Sequence, residues 1–266
     1  MATISAKDVA ALRQRTGVGM MDCKKALEDS AGDMEAAVEL LRKRLKGKMD
    51  ERTDRAAAEG VIAVARSERG AAMIELRSET DFAARNDSFL AAARKLAELA
   101  LQGPAGEVQP TDAMRAIVDE LRITIKENIS LARGVVLPGK VGTYQHHNRK
   151  LGTLVQGEGD VPEDLLNGLC QHVTAAVPTP IAVDESGLPK QELDKQRRDA
   201  TEEAAATGKD AKFVEKIAEG KLRKWVDDHT LLGQIYLREL EAKKPVRDYV
   251  PKGAKIVKFV RYAVGT

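Results

Sequence analysis

The side chains best suited to nucleophilic, acid–base or metal chemistry are four histidines and two cysteines, and their spacing serves none of these well. Alternation along a strand would send the adjacent His146 and His147 to opposite faces, where they cannot readily share an ion. Cys170 and His172 could enter a metal site, but the other cysteine, Cys23, is not spaced to complete it. Structural histidines are therefore expected, with no metal and no cofactor. An enzyme using Cys23 or Cys170 is a further reading, although no base is evident beside either thiol. Neither a G-x-x-x-x-G-K-S/T phosphate loop nor a G-x-S-x-G nucleophile elbow occurs.

Two segments look built for binding instead. Residues 77–87, Arg-Ser-Glu-Thr-Asp-Phe-Ala-Ala-Arg-Asn-Asp, hold a single bulky apolar side chain, Phe82. Phe82 could fold back as a staple on the helix that follows, with Asn86 or Asp87 as its cap. Alternatively the ring is an exposed anchor, filling a partner's pocket while the neighbouring Asp81 acts on an anion or competes for a cation. The second segment is residues 16–27, Thr-Gly-Val-Gly-Met-Met-Asp-Cys-Lys-Lys-Ala-Leu. Its adjacent Met20 and Met21 are either core filler or, if exposed, a soft and adaptable contact surface.

These segments need elements to position them. Ser5 and Asp8 form a capping-box pattern ahead of a first short helix through Val9 and Leu12, which Gly17 and Gly19 break. A second helix is expected from Met21 to Glu28. Asp33 can cap a third, with Met34, Ala37, Val38, Leu41 and Leu45 on one face. Residues 42–55 read as a charged connector. Residues 61–65 and 71–76 then flank Ser67-Glu68-Arg69-Gly70 as a hairpin. Helices are expected over 88–101 and 111–126, the latter with Met114, Ile117, Val118, Leu121 and Ile125 in one stripe. Residues 129–137 are β-like, and 141–145 with 151–156 form a second hairpin around His146. A helix over 162–177 follows, so the hairpin-then-helix order occurs twice and suggests an internal duplication. Residues 188–229 read as two antiparallel helices with a narrow apolar seam of Phe213, Val214, Ile217, Ala218, Leu222 and Trp225, an arm projecting into solvent. Residues 256–262 alternate and should return to a sheet.

Composition agrees with this mixture. Aromatics are only 3% while Ala, Leu, Glu, Lys and Arg abound, which favours helices over an all-β sandwich. The expected class is α+β. Lys+Arg 43 against Asp+Glu 41 leaves +2, so no global field points to nucleic acid. Two cysteines suit a reducing compartment. Lys7, Asp8 and Arg13 interrupt any secretory core, and no run of about 18 apolar residues exists; a soluble, cytoplasmic chain is expected.

The run Gly17-Val18-Gly19-Met20-Met21-Asp22-Cys23-Lys24-Lys25-Ala26-Leu27 and the segment Thr80-Asp81-Phe82-Ala83 resemble the two signature segments of the bacterial elongation factor Ts family. The resemblance covers nearly the whole chain. It implies a guanine-nucleotide exchange factor of elongation factor Tu, with no bond-making chemistry and no direct nucleotide, nucleic-acid or membrane binding. It also implies an organisation: a UBA-like helical module over 1–55, core subdomains over 56–140 and 141–187, a coiled-coil arm over 188–229, and a closing strand within 230–266. By similarity Arg13, Met20, Met21, Ile125, Glu127 and His146 contact the partner. Thr80, Asp81, Phe82 and Ala83 dislodge the partner's magnesium ion, Phe82 as a wedge and Asp81 by disturbing the polar network around the ion. Departures are Ala83, where the family commonly has Val, the Arg77-Ser78-Glu79 approach, and Lys126, where Gly is often found. The runner-up is a nucleic-acid binder using Arg42, Lys43, Arg44, Lys46 and Lys48, diluted by Asp50, Glu51 and Asp54 and lacking nearby aromatics.

Overall fold

A computed structural model of the chain describes residues 4–50, 55–208 and 210–266. The side chains of Leu45, Lys46, Lys48, Met49 and Asp50, and the whole of Glu51, Arg52, Thr53, Asp54 and Lys209, lie outside the described residues. The fold is α+β, with helices and antiparallel strand pairing. The described residues fall into two compact units. One comprises residues up to Ala63 with Ile74–Val135 and Ala263–Thr266; the other comprises Val64–Met73 and Val136–Tyr262.

The first unit begins with α1 (Ala6–Thr16), α2 (Met20–Asp29) and α3 (Met34–Asp50). The capping box forms: the Asp8 N–H donates to the Ser5 hydroxyl at 3.2 Å, and the Ser5 N–H donates back to the Asp8 carboxylate at 3.2 Å. Gly17, at φ 66°, ends α1 in the left-handed region that a side chain resists. The three helices share a core of Val9, Leu12, Val18, Cys23, Ala26, Leu27, Ala37, Val38 and Leu41. The expected connector after Arg42 is corrected, because α3 continues to Asp50. Lys, Arg, Met and Leu are good helix formers, and the lone Gly47 costs less than the surrounding turns contribute. α3 also packs on α6 (Asp112–Ile125), where Arg42 meets Glu120 at 3.6 Å.

A four-stranded sheet has the order β1 (Glu59–Ser67), β2 (Gly70–Ser78), β4 (Ser130–Pro138), β3 (Gly106–Glu107). Two residues join β1 to β2, a link only an antiparallel pair allows. The two-residue β3 carries no periodicity and has no counterpart in the sequence reading. In the first unit α5 (Asp87–Leu101) packs against α6, with Phe89, Ala93, Leu96 and Ala97 buried. α6 ends on Lys126, whose φ of 65° and ψ of 30° are left-handed. A Cβ is unfavourable there by about 1–2 kcal/mol. Lys126→Gly is therefore expected to stabilise the protein by about 0.5–1 kcal/mol, net of unfolded-state entropy. A higher urea midpoint at unchanged slope would show it.

The second unit holds a three-stranded sheet, β5 (Lys140–Gln145), β6 (Leu151–Glu158) and β7 (Lys255–Ala263). β5 and β6 are antiparallel in the register Val141 opposite Gln156 and Thr143 opposite Leu154. α7 (Glu163–Ala175) lies on them, so close that a Cβ at Gly142 would sit 2.5 Å from the Leu166 carbonyl carbon. Leu166, Leu169, Cys170 and Val173 of α7 join Val155, Leu231, Tyr236 and Ile256 in one core. His172 is buried there: the Leu237 N–H donates to its Nδ1 at 3.2 Å, which leaves Nε2 to donate to the Gln234 side-chain amide oxygen Oε1 at 2.9 Å. Burial lowers its pKa, so it stays neutral, a structural histidine. α8 (Lys190–Ala205) and α9 (Ala211–His229) pack on each other. α8 buries Ala200 and Ala204, but α9 buries no residue fully, and Phe213 of the expected seam is exposed. A single partner helix covers only part of a stripe, so the other side stays in water.

Candidate functional site

The segment after β2 is where the sequence left two outcomes open. Residues 81–84 are not loop but a one-turn helix, α4 (Asp81–Ala84), ahead of α5. Thr80 caps it by accepting the Ala83 N–H on its hydroxyl at 3.2 Å. Asn86 caps α5 by accepting the Ser88 N–H at 2.9 Å. Ala83 and Ala84 are buried and fasten the turn to the core, while Phe82 on its other side is 83% exposed. The ring is no staple. Phe89, not Phe82, is the aromatic that α5 carries into the core. Asp81 is half-buried and meets Arg85 one turn on at 3.1 Å, a pairing its i,i+4 spacing could have announced.

Four residues is too short for a self-supporting helix. α4 is held from outside by the segment that follows α6. Both oxygens of Glu127 accept from Thr80, one from its hydroxyl at 2.6 Å and the other from its N–H at 3.1 Å. Glu79 reciprocates, accepting the Asn128 N–H at 2.7 Å and meeting Arg55 at 3.4 Å. The Asn128 amide donates to the Arg55 carbonyl at 2.7 Å. Glu79, Asn128 and Arg55 escaped the sequence reading, since no local pattern signals a bond between residues 49 apart. Ile125 is half-buried at the end of α6, one residue before the left-handed Lys126.

The remaining residues expected at the site lie elsewhere. Arg13 is exposed on α1; Met20 and Met21, which open α2, are 49% and 76% exposed, so the sulfurs are not core filler. At the start of α2 both methionines face away from the core that Val18 and Cys23 enter. His146 belongs to the second unit. Its expected opposition to His147 is corrected: the two ring centroids are 4.0 Å apart. β5 stops at Gln145, and the Arg149 N–H donates to the His146 carbonyl at 2.8 Å, so both histidines sit in a turn where alternation no longer holds.

The other readings find little support in this geometry. Cys23 and Cys170 are both buried, and burial pushes the Cys170 thiol far up, away from the reactive thiolate. In the basic stretch, Arg44 is paired with Asp29 at 2.6 Å and Arg42 with Glu120. Among the described residues, no cluster of three His, Cys, Asp or Glu could hold a metal, and no helix is long and apolar enough to cross a membrane.

Comparison with known proteins bears on the whole chain. The family model described as Elongation factor TS matches residues 79–266. Curated proteins named Elongation factor Ts are similar along the chain's full length. That of Thioalkalivibrio sulfidiphilus is 40% identical, covering 99% of this chain and 92% of its own. That of Thiobacillus denitrificans is 39% identical over 100% and 93%, and that of Prosthecochloris aestuarii 34% identical over 100% of both.

Proposed function

The chain belongs to the elongation factor Ts family, and on that premise we propose that it binds elongation factor Tu carrying GDP and promotes GDP release, holding the nucleotide-free GTPase until GTP enters. The observation that carries this reading is Phe82, a large apolar ring exposed on a braced turn beside a carboxylate. A solvent-exposed Phe on a fastened turn costs the free protein burial it could otherwise have, and recovers it only in a partner's pocket.

The mechanism is linkage. A protein that prefers the empty GTPase weakens nucleotide binding by the same factor that the nucleotide weakens its own binding. Phe82 supplies differential binding energy to an opened state, without which no population shifts. Asp81 disturbs the polar shell of the partner's magnesium, whose loss removes the largest positive charge holding the phosphates. Thr80 and Ala83 complete the segment, one as cap and the other as its root in the core. Arg13, Met20 and Met21 dock on the nucleotide-binding domain, with Ile125 and His146 as further contacts; Glu127, which the resemblance places among these contacts, is bonded to Thr80 within its own chain. The chain makes and breaks no covalent bond, takes no cofactor, and works in the cytoplasm.

The same reading gives the modules roles: residues 1–55 as a UBA-like docking module, 56–140 and 141–187 with 230–266 as two related core subdomains, and 188–229 as a coiled arm that reaches another part of the GTPase.

The test is release of labelled GDP from elongation factor Tu with the full chain in catalytic amounts. Release faster than the spontaneous rate is expected. Release unchanged at saturating protein would overturn the reading.

A further inference from the structure

The braces on α4 outweigh the helix itself. α4 and its caps own three backbone bonds: Ala84 N–H to Thr80 at 3.2 Å, Arg85 N–H to Asp81 at 3.1 Å and Asn86 N–H to Ala83 at 3.0 Å. A turn that short does not hold its shape in water on those bonds alone. Thr80 is the joint through which outside support arrives. Its hydroxyl has one proton to give, and that proton goes to Glu127 at 2.6 Å. The lone pairs are thereby turned toward the Ala83 N–H, which donates to the hydroxyl at 3.2 Å. The second oxygen of Glu127 takes the Thr80 N–H at 3.1 Å, fixing the backbone where β2 hands over to α4. One carboxylate thus sets both the cap's rotamer and its main chain.

Bonds to a charged group are the stronger kind, and Glu127 makes two to a single residue. Its carboxylate has both oxygens engaged inside its own chain, which is the posture of a brace and not of a hand held out to a partner. Glu79 closes the arrangement from the opposite side through Asn128. The two acidic residues cross-tie the segments 79–80 and 127–128, leaving Phe82 projecting from a turn whose ordering entropy is already spent before any encounter.

We infer that Glu127 is a positioning residue for nucleotide exchange: through Thr80 it holds α4 in the conformation that presents Phe82 and Asp81, and it acts on the partner only by that route. This rests on the exchange-factor reading and assigns Glu127 a role within it different from direct contact.

The experiment has two arms. In the free protein, amide hydrogen exchange at Ala83, Ala84 and Arg85 is compared between the parent, Glu127→Ala and Glu127→Gln. Exchange at least about tenfold faster in Glu127→Ala is expected, since two charge-assisted bonds are lost. Glu127→Gln, which keeps one acceptor oxygen, is expected in between. Unchanged protection in Glu127→Ala overturns the inference.

The second arm measures maximal GDP-release rate and half-saturating concentration for Glu127→Ala, Thr80→Val and the double variant. If Glu127 acts through Thr80, each single change lowers the maximal rate about tenfold with the half-saturating concentration moved less than about twofold, and the double variant is no slower than the singles. Thr80→Ser, which restores the hydroxyl, should recover most of the rate. Additive losses, or a loss confined to half-saturation, mean that Glu127 touches the partner directly and overturn the inference. A parent protein that does not accelerate release defeats the exchange-factor reading instead, while the hydrogen-exchange arm still decides whether Glu127 braces α4.

Discussion

Phe82→Ala is expected to slow catalysed GDP release about tenfold to a hundredfold while leaving the free protein as stable as its parent. The size follows from burial. A Phe side chain moved from water into an apolar pocket contributes about 1.5–3 kcal/mol, and about 1.4 kcal/mol is a factor of ten in rate if the contact is made fully only in the opened complex. The lack of a stability cost follows from the 83% exposure of the ring, because a surface side chain that touches little removes little when truncated. Both quantities belong in one experiment: GDP-release rate at saturating protein, and the urea midpoint of the free chain. A normal rate would remove Phe82 from the mechanism. A lowered midpoint would mean that the ring packs within its own subunit after all. Tyr in place of Ala keeps most of the apolar surface and is expected to retain most of the rate.

Glu75→Ala is expected to be the most damaging single truncation outside the apolar core of the first unit, at about 3 kcal/mol. Glu75 is completely buried on β2. One oxygen accepts from Arg77 Nε at 2.7 Å, and the other from Arg133 Nε at 2.6 Å. The Gly265 N–H donates to the same carboxylate at 3.1 Å. Arg77 lies two residues along the same strand and therefore on the same face; Arg133 comes from the neighbouring β4. Arg133 in turn donates to the Ala263 carbonyl at 3.0 Å, so the carboxylate and its cations tie Ala263–Thr266 to the sheet. Removing Glu75 leaves two guanidinium groups facing each other and an amide without its acceptor. The cost stays at the low end for a broken buried pair because Arg77 and Arg133 keep 28% and 32% of their side-chain surface in water. Arg77→Ala is the informative contrast. It leaves Glu75 bonded to Arg133 and Gly265, and is expected to cost only about 1 kcal/mol. Urea denaturation measures both variants, and amide exchange at Gly265 should rise in Glu75→Ala before global unfolding. Equal losses in the two variants would mean that the carboxylate is not the shared centre.

Neither of these residues was equally visible beforehand. Phe82 stood out because it was the one bulky apolar group in a polar run, yet its neighbours fit a staple and an anchor alike. Which of the two it is depended on whether α5 already had a ring for the core, and Phe89 fills that place. Glu75 did not stand out at all, lying inside an apolar strand with its second cation 58 residues away. His146 and His147 were misplaced for a related reason. The hairpin strand was read to end at residue 145, as β5 does, but strand alternation was then applied to two residues that lie in the turn closed by the Arg149 N–H. Arg42 to Asp50 was taken for a connector on charge alone, although its residue types favour the helix that α3 forms there.

The amino-acid sequence by itself determined most of the elements: the Ser5–Asp8 box, the break at Gly17, a cap at Asn86 or Asp87, the stripe of α6 and the α+β class. These depend on bonds and contacts spanning four residues or fewer, which spacing and residue type specify directly. Its signature segments also identified the family. Only the tertiary structure decided which way Phe82 faces, that Glu127 grips Thr80 47 residues away, and that Glu75 anchors Ala263–Thr266. Such pairings are chosen by the packing of whole strands and helices, and a hydrogen bond between distant residues leaves no period in the chain for a pattern to reveal.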